Sequence, residues 1–155
     1  MLVQEKSTEK LIPVAIEAFW STIPLVWNRI KGNLRSIAVD QYGISVEQFH
    51  ILRHVRKGLK SVSELAEVRQ ISRSGISQAV DVLVDRGLIC RLQNARDRRN
   101  IPLELTEAGN KLLDAIWEKN RAWMSGQMTS LSEQELNTLT GGMEILVKTF
   151  DAPAG

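Results

Sequence analysis

The residues with the strongest chemical character form a cationic segment in the middle of the chain. The stretch NARDRRN, residues 94–100, holds Arg96, Asp97, Arg98 and Arg99. Guanidinium groups this close repel one another, so a fold gains little by assembling them, whereas a planar guanidinium fits the narrow, negatively charged minor groove of DNA. We expect Asp97 to pair with a neighbouring arginine and to hold the segment in one shape. A solvated surface loop is the plainer interpretation of the same residues.

The sequence contains none of the common motifs of a catalytic centre. G-x-S-x-G, a phosphate-binding glycine loop, H-E-x-x-H and a Cys–His pairing at a useful spacing are all absent. We therefore predict that the protein is not an enzyme and that it has no catalytic residue and no cofactor. His50 and His54 lie four residues apart behind Glu47, a spacing that can hold zinc. Because the sequence has no further histidine and no thiolate nearby, we interpret them as a structural or solvent-facing pair and predict no metal site.

Composition and charge narrow the class of protein. The chain has 155 residues, of which 43% are hydrophobic and 25% charged, values that are typical of a soluble globular protein. We therefore predict a single domain over residues 1–155. The net charge is only +2, but residues 53–100 contain eleven Lys and Arg against five Asp and Glu. A basic middle between acidic ends indicates that the middle meets a polyanion.

Cysteine content and apolar content predict the compartment. The single cysteine, Cys90, excludes an intramolecular disulfide and fits a reducing cytosol, where we expect a buried, inert thiol. The N-terminal residues lack the basic start and apolar core of a signal peptide, and the apolar runs are far shorter than the about 20 residues of a membrane span. These features predict a cytoplasmic protein with no membrane partner.

Both ends of the chain carry a heptad pattern of apolar residues. Residues 16–37 repeat at alternating intervals of four and three, which predicts a helix with one narrow apolar seam. Residues 136–150 repeat in the same way after a helix start signal at Ser132 and Glu135. Pro24 should kink or divide the first of these helices, because its ring removes a backbone donor.

A seam this narrow and this long favours a partner helix. We therefore predict a homodimer that is joined through dimerisation helices at about 10–40 and 106–150. An amphipathic helix packed on its own domain is the alternative. The predicted interface residues are Ile16, Ile23, Leu139, Leu146 and Phe150.

The region of about 45–105 has the pattern of a winged helix-turn-helix lobe. Ser61 and Glu64 form a capping box at the start of one short helix, and Ser72 is the N-cap of the next, which stops at Gly87. The segments LICRLQ and IPLELT each alternate, so they predict the two short strands of a hairpin, called the wing below, with the arginine segment at its tip. The predicted fold class is mainly α with a small β-hairpin, a winged helix-turn-helix domain plus N- and C-terminal dimerisation helices.

The helix that begins after Ser72 is the candidate recognition helix. The major groove of B-DNA admits one helix, whose N-terminal residues meet the base edges. Small residues let the helix approach closely, Gln78 can pair bidentately with adenine, and Arg73 can reach a guanine or a phosphate. A helix pair without DNA contacts is the alternative for this segment taken alone. The outward positions near its start are Arg73, Ser74, Gly75, Ser77, Gln78 and Asp81.

The order and spacing of these segments resemble a known family. GISVEQFHILRHV, SVSELAE, SGISQAVDVLVDRGLICR and NARDRRNIPLELTEAG are similar to the MarR family of transcriptional regulators, over roughly residues 10–150. The most specific part is DRR at residues 97–99 followed by LTEAG at residues 105–109, which resembles the family's D-R-R…L-T-x-x-G signature. The resemblance implies an obligate homodimer. We predict that the regulator is a repressor, and an activator is the alternative. Each subunit would offer its recognition helix and wing to half of a pseudo-palindromic operator in double-stranded DNA.

The resemblance also implies a small aromatic or anionic effector, which many family members bind between the dimerisation helices and the DNA-binding lobe. Trp20, Trp27 and Trp117 lie in the predicted terminal helices and are candidates to line an aromatic pocket. Arg29 and Arg35 could oppose an anionic ligand. Packing of the tryptophans in the dimer core and solvation of the arginines are the plainer interpretations.

Two alternatives to a sequence-specific regulator remain. A winged helix can serve as a protein–protein interaction module, although three arginines in the wing argue against that use. The chain can also be a nonspecific DNA-binding protein, whose affinity would not depend on base sequence.

Overall fold

Helices and one small hairpin make up the described part of the chain. The computed structural model describes residues 2–92 and 101–151, with side chains from Glu9 onward. The hairpin is antiparallel, and this arrangement confirms the predicted fold class, mainly α with a small β-hairpin. The elements in chain order are α1 (Leu2–Ser36), a π-helical turn (Ile37–Gln41), α2 (Val46–Arg56), α3 (Val62–Arg69), α4 (Arg73–Asp85), β1 (Ile89–Arg91), β2 (Leu103–Leu105), α5 (Glu107–Met128) and α6 (Glu133–Phe150).

The chain divides into two compact units, Met1–Asn120 and Arg121–Gly155, with the boundary inside α5. The first unit contains α1 to α4, the hairpin, the larger part of α5 and the hydrophobic core. The second contains the end of α5 and all of α6. A single domain over residues 1–155 stays a prediction.

The core of the first unit joins its elements from the π-helical turn to α5. On α4 the buried positions Ile76, Val80 and Leu83 recur every three or four residues, so the opposite face stays available to solvent. Full burial of one such side chain contributes about 1.5–3 kcal/mol to folding. The largest side chains that are less than 2% exposed are Ile44, Ile51, Leu52, Leu65, Ile76, Val80, Leu83, Ile89, Leu103, Leu113 and Ile116.

Side-chain caps fix where the short helices begin. The Ser61 hydroxyl accepts from the Glu64 amide at 3.1 Å and the Glu64 carboxylate accepts from the Ser61 amide at 2.9 Å, which confirms the predicted capping box. Donation from the Ser61 hydroxyl, and then from the Lys60 amide, lowers the pKa of Glu64 below its usual value. The predicted helix starts at Ser72 and Ser132 are also confirmed.

Helix α1 continues through both of its prolines, Pro13 and Pro24. Of the two outcomes expected at Pro24, a kink or a division, division does not occur. Proline already holds a φ angle that a helix can use, so the ring removes one backbone hydrogen bond without forcing the helix to end. The remaining bonds of a 35-residue helix are enough to continue it.

The hairpin alternates between buried and exposed positions. In its register Cys90 faces Glu104 and Arg91 faces Leu103. Ile89 and Leu103 are buried, whereas Cys90 is exposed, and its thiol donates to the carbonyl oxygen of Glu104 at 3.7 Å. The expectation of a buried thiol is therefore wrong. Neighbouring side chains of a strand point to opposite faces, so burial of Ile89 exposes Cys90.

The first turn of α5 packs directly on the turn between α4 and β1. The Thr106 hydroxyl donates to the carbonyl oxygen of Gly87 at 2.6 Å and accepts from the Gly109 amide at 3.1 Å. The Thr106 amide donates to the carbonyl oxygen of Leu88 at 3.1 Å. A Cβ atom at position 109 would overlap that same carbonyl oxygen. The contact therefore requires a residue without a side chain at Gly109.

We predict that Gly109→Ala lowers the free energy of unfolding by about 1–3 kcal/mol or more, because the new methyl group must displace backbone rather than a flexible side chain. The matched control is Gly126→Ala in the same helix, where the added Cβ meets open space. That substitution should raise stability by up to about 1 kcal/mol. Urea denaturation of both variants measures the difference, and equal effects would contradict the proposed constraint at Leu88.

Candidate DNA-binding interface

Helices α3 and α4 are joined by a short turn of fixed geometry. Gln70, just beyond the end of α3, adopts a left-handed conformation with a φ of 53°, which few residues other than glycine adopt. This bend lets the Ile71 amide donate to the carbonyl oxygen of Ala66 at 3.2 Å. The Ser72 hydroxyl then accepts from the Gly75 amide at 3.2 Å and caps α4. The turn and the cap together set the direction in which α4 leaves α3.

The first turns of α4 present a polar surface. A Cβ atom at Gly75 would lie 3.2 Å from the Ile71 side chain and 3.2 Å from the Ser72 hydroxyl, so glycine relieves crowding at the cap. Glycine there also narrows the outer surface of the helix. Among the predicted contact residues, Arg73, Ser74 and Gln78 are exposed. Gly75 and Ser77 are half-buried.

Asp81, the sixth residue predicted on this helix, has a partner within the protein. Its Oδ1 atom accepts from Nη2 of Arg91 at 2.5 Å. Arg91 is the last residue of β1, so the ion pair joins α4 to the hairpin. Sequence reasoning missed Arg91, because ten residues and a turn separate it from Asp81 and only the folded hairpin brings the two side chains together.

The tip of the wing lies outside the described residues, and with it the predicted contacts Arg96, Asp97, Arg98 and Arg99. The base of the wing is described. The Leu92 amide donates to the carbonyl oxygen of Pro102 at 2.9 Å, and the Leu103 amide donates to the carbonyl oxygen of Lys60 at 2.7 Å. Pro102 has no amide hydrogen, and it joins the ladder through its carbonyl group. The base is thus fixed both across the hairpin and to the connection before α3.

The C-terminal end of α4 is attached to the loop that follows the π-helical turn. The Arg86 guanidinium donates to the carbonyl oxygen of Gly43 at 2.7 Å and to that of Tyr42 at 3.0 Å. Lys119 of α5 lies 5.3 Å from the centre of the Tyr42 ring and donates to the Gln41 side chain. These contacts hold the far end of α4 against the segment that continues α1.

A cavity of about 410 Å³ is lined by residues of α1, α2 and α5 within the first unit. Trp27, Phe49 and Trp117 supply aromatic surface to it, and the rings of Phe49 and Trp117 have their centres 6.2 Å apart. Of the three tryptophans predicted for an aromatic pocket, the structure brings Trp27 and Trp117 together here. Trp20 does not line this cavity, because it lies seven residues earlier, about 10 Å further along the helix.

The same cavity has a cationic lining. Lys31, Arg35 and Arg53 all line it, and the Arg53 guanidinium lies 5.7 Å from the centre of the Trp117 ring. Of the two arginines that could oppose an anionic ligand, Arg35 is part of the lining and Arg29 is not. Among the described residues that line the cavity, none is acidic. An aromatic wall with convergent cations suits a small aromatic anion.

The two histidines are half-buried on α2, and His50 lines the cavity. Burial of the ring, and then the charges of Arg69 and Arg53, lower the pKa of His50 below its usual value. The same causes, in the same order, lower the pKa of His54. The Glu47 carboxylate is engaged by Arg69 through two hydrogen bonds of 3.2 and 3.1 Å. Among residues 9–92 and 101–151, no group of three potential ligands is placed to hold a metal ion.

Helices α1 and α6 carry large apolar side chains that the described chain leaves exposed. In α1, Trp20 is 68% exposed and Trp27 is 55% exposed, whereas Ile37, at the end of the same apolar seam, is buried. Within the described residues α6 has no buried side chain. The residues predicted for a dimer interface are all exposed or half-buried, namely Ile16, Ile23, Leu139, Leu146 and Phe150.

Comparison with known proteins decides the family. Residues 42–100 match a family model described as the MarR family. Over 115 residues the chain is 32% identical to an uncharacterized HTH-type transcriptional regulator of Bacillus subtilis, YpoP, and the match covers 74% of this chain and 80% of YpoP. The chain belongs to the MarR family. It is therefore a helix-turn-helix transcriptional regulator and not an enzyme.

Two further similarities accompany this assignment to the MarR family. The HTH-type transcriptional repressor MdtR of Bacillus subtilis is 30% identical over 100 residues, which cover 64% of this chain and 64% of MdtR. The fold is shared with a mutant of MepR from S. aureus bound to an oligodeoxyribonucleotide, with a TM-score of 0.64 and 22% identity over 84% of this chain and 96% of MepR. The part of the chain that matches the MarR family model includes α4, the candidate recognition helix.

Proposed function

We propose that this MarR-family regulator is a homodimeric repressor that binds a pseudo-palindromic operator in double-stranded DNA. The observation that carries the proposal is the exposed polar surface at the capped start of α4, formed by Arg73, Ser74 and Gln78. The fold shared with the oligonucleotide-bound MepR mutant and the repressor name of MdtR both support it. A symmetric dimer has two such helices and so suits a site with two related halves.

The proposed contacts divide into base readout and phosphate binding. Gln78 can pair with the edge of an adenine, and Arg73 can reach a guanine or a phosphate. The unbonded amides at the start of α4 carry a partial positive charge that favours a phosphate. Small residues at Ser74, Gly75 and Ser77 allow the close approach that both kinds of contact need. In the wing we propose minor-groove contacts from Arg96, Arg98 and Arg99, with Asp97 as the residue that braces them.

Gln78→Ala is expected to cost about 1–3 kcal/mol of discrimination at one base position in each half-site, because the substitution removes a bidentate base contact. The operator is first selected from a random DNA pool with the unaltered protein. Affinities are then measured on that operator and on its single-base variants. Gln134→Ala, which removes an exposed glutamine from α6, is the matched control and should change nothing.

Each other outcome of this experiment favours a different interpretation. Equal weakening of Gln78→Ala on every sequence would mean that Gln78 contacts phosphate or nothing. An unaltered protein that binds all DNA alike would be a nonspecific DNA-binding protein. A protein that binds no DNA would be better explained as a winged-helix protein–protein interaction module.

The homodimer is proposed from the exposed apolar surfaces of α1 and α6. Large exposed apolar surfaces are uncommon on monomers and mark sites of association. By length and composition alone, the segment Glu9–Gln41 is also apolar enough to cross a membrane, with a mean hydropathy of 1.2. Its C-terminal end belongs to the hydrophobic core, however, since Ile37 is 5% exposed and Ala38 is 1% exposed. A second copy of the chain accounts for the exposed part without removing the buried part from its core.

Ile16→Asp is expected to dissociate a dimer that persists at low micromolar concentration, because it would bury an unpaired charge at a cost of several kcal/mol. Ile16 is 48% exposed, and the matched control is Val68→Asp, at a valine of α3 that is 54% exposed. The control should leave the association unchanged. Sedimentation of the three proteins measures the effect, and a monomeric unaltered protein would refute the dimer.

We further propose that the cavity next to Trp27 and Trp117 binds a small aromatic anion that opposes DNA binding. Its aromatic walls and the cations Lys31, Arg35 and Arg53 support this ligand class. A carboxylate on an aromatic ring would gain stacking and charge pairing in the same site. Salicylate is therefore the first compound to test.

The affinity for salicylate is expected to rise as the pH falls from about 8 to about 6, across the usual histidine range. In the free protein, burial and the charges of Arg69 and Arg53 keep the pKa of His50 low, and Glu47 opposes them. A carboxylate beside the ring would raise that pKa, so binding takes up a proton and strengthens at lower pH. The effect ends once the pH is low enough to protonate His50 in the free protein.

Tryptophan fluorescence measured across this pH range tests the ligand site. His50→Gln should remove the pH dependence, whereas His54→Gln should keep it, because His54 does not line the cavity. A pH-independent affinity would contradict the role of His50, and the absence of any effect of salicylate on fluorescence or DNA affinity would rule out this class of effector.

A further inference from the structure

We propose that Asp81 and Arg91 form a strap that positions the wing against the recognition helix. Specific DNA binding would then depend on the pair although neither side chain reads a base. The inference rests on the proposed DNA-binding function, and it assigns to Asp81 a role other than the direct contact that its place on α4 predicts.

The strap lies at the last register pair of the hairpin, where Arg91 faces Leu103. The Arg91 guanidinium donates to the Asp81 carboxylate at 2.5 Å, which anchors β1 to α4. The Leu103 amide donates to the carbonyl oxygen of Lys60 at 2.7 Å, which anchors β2 to the connection before α3. Both strands are therefore tied to the helix-turn-helix at the same level. This level is the base of the wing.

Asp81 is also placed next to the surface proposed to read bases. It follows Gln78 by three residues, so the two side chains lie on the same face of α4. A strap at Asp81 therefore connects the base-reading face of the helix directly to the strand that leads into the wing. This ion pair therefore contributes directly to the relative orientation of the two proposed DNA contacts.

The electrostatics favour a positioning role over direct contact. A free carboxylate on a surface that meets phosphates would weaken binding to every sequence, and pairing with Arg91 neutralises it. Asp81 is 53% exposed and Arg91 is 35% exposed, and an ion pair this exposed adds little to folding stability. Orientation is the larger consequence, because binding elements must be held within about 0.5 Å of the productive geometry.

The test is a double-mutant cycle measured on the selected operator and on random DNA. Asp81→Asn and Arg91→Gln should each lower the ratio of operator affinity to random-DNA affinity by up to about fivefold, because an ion pair this exposed biases the position of the wing by no more than that factor. The double variant should be no weaker than the weaker single variant, because either substitution already opens the strap. Arg91→Lys should keep most of the affinity, since a lysine can still pair with Asp81.

Three results would overturn the strap. If Asp81→Asn tightens both DNAs alike, Asp81 is only a repulsive charge. If Arg91→Gln weakens both DNAs and the salt dependence of log affinity flattens by about 1 unit per bound subunit, Arg91 is a phosphate contact. If the two losses add in the double variant, the side chains act independently.

A measurement without DNA separates the strap from the proposed function. The Leu92 amide donates to the carbonyl oxygen of Pro102 immediately beyond Arg91. Hydrogen exchange at this amide should become faster in both single variants, and no faster in the double variant, while the thermal midpoint changes little. Faster exchange in a protein whose unaltered form lacks sequence preference would support the strap and refute the proposed function. Unchanged exchange would overturn the strap alone.

Discussion

The arrangement of the first unit depends on one close backbone contact, the packing of Gly109 on the carbonyl group of Leu88. Leu88 follows the turn after α4, and Gly109 lies in the first turn of α5, so the contact brings the end of α4, the start of the hairpin and α5 together. Thr106 secures the approach, because its hydroxyl donates to Gly87 and accepts from the Gly109 amide. The L-T-x-x-G pattern follows from this geometry. The threonine supplies both hydrogen bonds, and the glycine supplies the space.

The cavity and α4 are both attached to one short segment of backbone. Ala38 lines the cavity, and its carbonyl oxygen accepts from the Ile44 amide at 2.9 Å. Between them, Tyr42 and Gly43 accept from Arg86 at the C-terminal end of α4. π-Helical turns are rare and often occur at functional sites, and this one lies where the cavity wall meets the loop. For the proposed effector, consecutive hydrogen bonds therefore connect the cavity wall to α4.

Signals that involve one helix end were sufficient to predict local structure, whereas contacts between distant segments were not. The capping box at Ser61 and the cap at Ser72 follow from the hydrogen bonds that a helix start lacks, and the structure has both. From the sequence alone, Asp81 is interpreted as an exposed acidic residue of α4. Its ion pair with Arg91 exists only because the folded hairpin brings the two side chains together. The alternation of the strand predicts that Cys90 and its neighbours point to opposite faces of the hairpin. Only the packing of the hairpin decides that Cys90 lies on the exposed face. The same limit applies to the residues proposed to contact DNA. The sequence predicts the helix and the helix face on which they lie, but not the side chains that they contact in the folded protein.

The apolar seam of α1 illustrates what a heptad period specifies and what it leaves open. The heptad period identifies an apolar face of α1 that must be covered. The length of the helix decides whether the core of its own unit can cover it. A helix of 35 residues is about 50 Å long, whereas a compact unit of about 120 residues is about 35 Å across, so one core cannot cover the whole length of α1. The structure agrees, since Ile37 is buried in the core of its own unit while Ile16, Trp20 and Trp27 are exposed. The proposed second copy of the chain would cover the exposed part of the seam most simply. In a two-fold symmetric pair, the same exposed face of each subunit packs against that of the other.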